Sequence, residues 1–173
     1  MPERRDRISI APIRRRALAM GALHAKLLHP KKVVTADWVR LKCQYGCGGY
    51  GSSLTCPPHS PTPAQTRRVL DGYRRALLIH GDERVEISKV VIPLEREAFL
   101  AGFYKAFAFS CGPCDRCATC AFDKGCRHAD EARPSMEASG IDVYATARGA
   151  GLPIEVVTGP QCAQNYYGLL LLD

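Results

Sequence analysis

Cys114-x2-Cys117-x2-Cys120-x5-Cys126 sets three thiols at two-residue gaps with a fourth shortly behind. A tightly curled backbone at that spacing points successive sulfurs at neighbouring corners of a cubane cluster, the logic of ferredoxin-type runs. Those runs usually close with a three-residue gap and a proline, whereas here the last gap is five and Arg127 follows. Cys126 is therefore read as a ligand of this cluster or of a second one. Zinc is the alternative, because tetrahedral four-cysteine sites also start from C-x2-C pairs, although zinc knuckles separate two such pairs by a longer stretch.

A second group lies upstream. Cys43-x3-Cys47-x8-Cys56 supplies three thiols in a stretch containing Gly46, Gly48, Gly49 and Gly51, whose backbone can approach a ligand closely. Three ligands leave a four-coordinate site incomplete, so the fourth comes from Cys162, Cys111 or His59, or the position stays open to substrate. Cys162 is the leading candidate, since the turn Thr158-Gly159-Pro160-Gln161 before it could lie beside the glycine-rich loop. It could equally be a small apolar packing residue. The eight-residue second gap excludes the C-x3-C-x2-C pattern of radical S-adenosylmethionine enzymes.

Helices and strands must position these loops. Residues 14–28 read as a helix stopped by Pro30, and 33–41 as a strand entering the first cysteine loop. Thr62 as N-cap and Pro63 at the first helical position open a helix to about Arg75, followed by a short buried strand at 76–80. Pro93 is expected to open a helix through Lys105, and 106–109 to form a strand into the second loop. Helices at 131–139 and 141–148, each ended by glycine, and closing strands at 154–157 and 166–171 complete the reading. The expected fold is α/β or α+β, a single domain with a mixed sheet, flanking helices and two cysteine-rich metal-binding loops. Residues 1–13 are expected to form a basic, disordered tail and 14–173 the metal-binding domain.

Composition bounds the rest. With 173 residues and 46% hydrophobic content the chain reaches a viable core without metal, so its nine cysteines need a chemical reason. An odd number cannot pair fully within one chain, and thiols kept reduced in the cytoplasm are free to act as ligands. No apolar run is long enough to span a bilayer. Arg14-Arg15-Arg16 precedes a mildly apolar stretch, but His24 and Lys26 interrupt it, which argues against a twin-arginine export signal. The first 16 residues hold four of the seven excess positive charges, and no basic face interleaved with aromatics follows, so a nucleic-acid partner is not expected. The chain contains no Walker loop, no G-x-G-x-x-G and no G-x-S-x-G elbow, and no complete catalytic constellation.

Lys42-Cys43, Tyr50-Gly51, Cys56-Pro57-Pro58, the run from Cys114 to Cys126, and Pro134-Ser135-Met136-Glu137-Ala138 with Gly140-Ile141-Asp142-Val143 resemble the metal-binding family called domain of unknown function 2284. The resemblance covers roughly residues 17–172. It implies metal or iron-sulfur binding without an assigned reaction, and it marks Cys111 as an addition to the family pattern and so as the spare thiol. The expected function is an iron-sulfur protein, 4Fe-4S in one or two clusters, exchanging electrons with a redox partner protein. The rivals are an enzyme or metallochaperone with an open metal site at Cys43, Cys47 and Cys56, and a zinc-stabilised binding module.

Overall fold

The computed structural model describes residues 8–173. In chain order its elements are α1 (Ala11–Ala19), β1 (His24–Leu28), α2 (Asp37–Gly46), α3 (Pro63–Asp71), β2 (Ala76–Gly81), α4 (Ile87–Leu100), β3 (Phe107–Phe109), α5 (Val143–Gly149) and β4 (Tyr166–Leu171). Short 3-10 turns occupy Pro30–Lys32 and Glu137–Ser139.

The two most apolar strands, β2 and β4, lie at the centre of a four-stranded sheet ordered β1-β2-β4-β3. Each ladder is antiparallel: His24 faces His80, Ala76 faces Leu171, and Phe107 also faces Leu171. The expected mixed sheet is thus corrected to an antiparallel one, the lone parallel pairing being an isolated Ser110–Ser135 bridge beyond β3. Alternation sends Leu77, Ile79 and Leu170 to one face, against Ile13 and Ala17 of α1 and Val91 and Leu94 of α4. Leu78, Leu169 and Leu171 point to the other face, against Leu70 of α3 and Ala147 of α5. Helices on both faces explain why β2 and β4 read as continuous apolar runs rather than as alternating ones.

Local chemistry accounts for α3 in full. The Thr62 hydroxyl accepts from Gln65 N and the Gln65 side chain accepts from Thr62 N, a reciprocal cap with Pro63 behind it. Gly72 ends the helix earlier than the expected Arg75.

Several expectations are corrected. The helix expected to Leu28 stops at Ala19, because Gly21 takes a φ of +101° and frees 24–28 to pair with β2. Residues 33–36 are extended but make only the bridge Thr35–Ile141, and the chain then turns into α2 where a strand was expected. Pro93 sits inside α4 rather than at its start. A mid-helix proline costs about 3 kcal/mol, while burying Ile87, Val90, Val91, Leu94 and Ala98 on one stripe returns roughly 1.5–3 kcal/mol for each larger side chain. Burial wins. The helix expected at 131–139 is reduced to the 137–139 turn, ended by Gly140 at φ +75°. Residues 154–157 form no strand. The expected tail boundary at residue 13 falls inside α1, where Ile13 is 4% exposed and Ile8 and Ile10 pack on the same cluster. Residues 1–7 of that tail lie outside the described residues. Among the described residues no helix is long and apolar enough to cross a membrane.

Candidate metal centres

The last turn of α2 presents Cys43, and Cys47 follows immediately at its C-cap. The loop beyond turns on its glycines and is closed by Gly51 N donating to Pro57 O at 2.8 Å, which returns Cys56 beside the helix end. Cys43 is half-buried, Cys47 exposed and Cys56 buried. All three line one groove of about 930 Å³. Burial raises the Cys43 thiol above its usual range, Cys47, Glu137 and Cys56 add to that, and the Arg40 guanidinium opposes them.

Glu137 and Ala138 of the 137–139 turn also line the groove, and the framework fixes that turn from several sides. Arg40 of α2 donates to Ser60 Oγ at 3.2 Å, Ser60 O at 3.3 Å and Ala138 O at 3.4 Å, while Ser60 Oγ donates to Ala138 O at 2.5 Å. Thr66 of α3 donates to Ser139 O at 2.7 Å. Gly140 lies so close to α3 that a Cβ there would come within 2.3 Å of Pro63 Cγ. This locked turn aims Glu137 at the groove. Its Oε2 is sealed from solvent and has no hydrogen-bond partner, and burial pushes its carboxyl up despite bonds from the backbone and Ser135. Elsewhere the groove is mostly apolar and aromatic, with Trp38, Ile141, Tyr166 and Tyr167 among its lining.

The second group sits on a different kind of support. Cys114, Cys117, Cys120 and Cys126 line a cavity of about 170 Å³ closed on one side by Ser52, Ser53, Leu54 and Thr55 of the first loop. That volume suits a metal centre and is below the usual range for an organic ligand. Leu54 N donates to Cys120 Sγ at 3.3 Å, so the first loop supplies an amide to a sulfur of the second. Residues 111–134 contain neither helix nor strand. Their ends are tied down by Ser110 N to Pro134 O at 2.8 Å, and by the shielded Arg133–Glu95 ion pair at 2.5 Å. Glu95 also accepts from Ala108 N at 2.7 Å, clamping β3 and the loop's return together.

The remaining candidates are dispersed. Cys111 lines the groove with the first trio, and burial followed by Glu137 pushes its thiol up to about 12. Cys162 is absent from both linings, and its Sγ instead lies 3.4 Å from Thr158 Oγ1, a contact that lowers its pKa. The His59 ring packs on Phe122 of the second loop with centroids 5.0 Å apart, while the His59 backbone N donates to Cys56 O at 2.9 Å. Glu137 was missed by sequence reasoning although it stands within the Pro134–Ala138 run, because a single carboxylate carries no spacing signal.

As the side chains stand, no three His, Cys, Asp or Glu among the described residues converge tightly enough to grip an ion. The groups are neighbourhoods of donors rather than closed cages. Their chemistry nevertheless fits a soft metal or cluster: thiols gathered in two adjacent places, an amide donated to one sulfur, and a buried carboxylate oxygen lacking any partner. Comparison with curated proteins and with solved structures gives no significant match. A family model described as predicted metal-binding protein, domain of unknown function 2284, matches residues 26–172, a stretch that takes in both cysteine groups and the Glu137 turn, and the chain belongs to that family.

Proposed function

We propose that the chain is an iron-sulfur redox module of the cytoplasm, with an outer centre on Cys114, Cys117, Cys120 and Cys126 and an inner centre on Cys43, Cys47 and Cys56. The observation that carries this reading is the sorting of these thiols into two adjoining groups, joined through residues 52–56, with Leu54 N donating to Cys120 Sγ at 3.3 Å. Iron-sulfur clusters, when bound, supply one-electron chemistry whose potential depends on hydrogen bonds to sulfur and on solvent exposure. The chain's own contribution is graded exposure. Among the outer thiols Cys126 is exposed and the other three half-buried, while the inner group runs from exposed Cys47 through half-buried Cys43 to buried Cys56 in a groove with aromatic lining.

A second reading, an enzyme or metallochaperone with an open inner site, is supported by that groove. Its volume of about 930 Å³ falls in the range of small-molecule sites. Cys162, expected as the fourth inner ligand, is not adopted here because it faces Thr158 outside the groove. The deciding experiment is anaerobic purification of natively produced protein followed by iron, acid-labile sulfide and zinc analysis and a visible spectrum. Brown protein with iron and sulfide is expected. A colourless protein with stoichiometric zinc overturns the redox reading in favour of a zinc-stabilised binding module.

A further inference from the structure

We infer that Glu137 supplies the fourth protein donor of the inner centre, a carboxylate oxygen set beside the thiols of Cys43, Cys47 and Cys56. The inference rests on the inner centre proposed above. It starts from an imbalance: three thiols occupy the groove's α2 side, and the local sequence holds no fourth. The same groove is lined by Glu137, whose Oε2 is sealed from water and has no hydrogen-bond partner. An unpartnered buried carboxylate oxygen is costly in a folded protein, and what offsets it is a proton, a cation or a metal.

Glu137 shares one groove lining with Cys43, Cys47 and Cys56. The turn is bound to the same α2 that carries Cys43, through Arg40 and Ala138 O, so thiol and carboxylate are fixed to one frame. Carboxylates and thiolates are both established metal ligands, but the carboxylate is the harder donor and holds a soft metal less firmly. A centre with three sulfurs and one oxygen therefore has one corner that exchanges more readily. A molecule in the groove with a nitrogen, oxygen or sulfur donor would meet the metal there.

Cys111 is the rival donor, sharing the groove and the influence of Glu137. The experiment uses the full chain prepared anaerobically as wild type, Glu137→Gln, Cys111→Ser, Cys162→Ser and Cys43→Ser. Metal per chain, the rate of metal loss to a chelator and the electron paramagnetic resonance of the reduced protein are read for each. The outer centre serves as the internal reference. Cys43→Ser is expected to abolish the inner signal. Glu137→Gln is expected to speed inner metal loss by about tenfold or more and to alter the inner signal alone, with Cys111→Ser and Cys162→Ser matching wild type.

Wild-type loss rate and spectrum in Glu137→Gln overturn the inference. So does transfer of the loss to Cys111→Ser, which makes that thiol the fourth donor. An unchanged Cys43→Ser instead removes the inner centre itself, a failure of the underlying reading. Glu137→Gln removes a charge that burial disfavours, so unfolding of the metal-free variant is expected at or above the wild-type temperature. Should it fail to fold, Glu137→Asp, which keeps the charge and shortens the reach, carries the same expectation and the same overturning result.

Discussion

The inner and outer cysteine groups differ less in their sulfurs than in what holds them. Cys43 and Cys47 end a helix, Cys56 returns on a bonded loop, and the 137–139 turn is tied to α2 and α3 by Arg40, Ser60 and Thr66. The outer four hang on residues 111–134, irregular throughout and secured mainly at their ends. A group whose segments are bonded to the frame keeps its donors in one neighbourhood before metal arrives and can leave one position for other chemistry. A loosely held group gains its order from the metal, since coordination then does the work of secondary structure.

Metal removal is the strongest way to break this contrast. Stripping both centres is expected to leave residues 111–134 open to proteolysis and fast amide exchange while the helix-sheet frame stays protected, as read by exchange mass spectrometry. Equal protection of both regions in the stripped protein would end the distinction. Cys117→Ser should reproduce the loss in the outer loop alone, with the inner centre's metal retained.

Next in size is the clamp shared by β3 and the outer loop's return. Glu95→Ala leaves Arg133 without its partner and Ala108 N without its acceptor, at a cost of about 3 kcal/mol. Thermal unfolding should fall by about 6–10 °C for a chain of this size. A smaller effect is expected from Arg40→Ala, about 1–2 kcal/mol from lost bonds to Ser60 and Ala138. Its informative readout is metal, with faster loss from the inner centre and none from the outer.

The smallest effect concerns the frame alone. His80 is buried against Tyr167, with Nδ1 2.9 Å from His24 Nδ1 and Nε2 2.8 Å from Asn165 Oδ1. Burial lowers its pKa, His24 lowers it further, and Asn165 and Asp82 oppose. The unfolded chain therefore binds a proton that the folded one resists, so stability is fully present above about pH 6.5 and declines below it toward the folded pKa. Unfolding midpoints measured from pH 7.5 to 5 should fall by a few degrees, and His80→Gln should flatten that slope. An unchanged slope in the variant would remove His80 from the account.

The chain's local chemistry was readable wherever neighbours in sequence are also neighbours in space. Cys114, Cys117 and Cys120 line one cavity, and the Thr62–Pro63 helix start and the strands expected at 76–80 and 166–171 belong to that class. So did the family, through the Cys56-Pro57-Pro58 and Pro134–Ala138 runs. Tertiary structure decided what depends on distant partners. Residues 24–28 became a strand because β2 offers an edge, while 154–157 joined no sheet. It likewise brought Cys111 into the groove of the first trio and left Cys162 on Thr158. Glu137 gained its position only because Arg40, Ser60 and Thr66, far away in sequence, hold its turn against α2 and α3. Spacing counts residues along one segment and so names the ligands that segment can offer. Which segments meet is set by burying both faces of the sheet, an outcome of the whole chain's packing that no local pattern encodes.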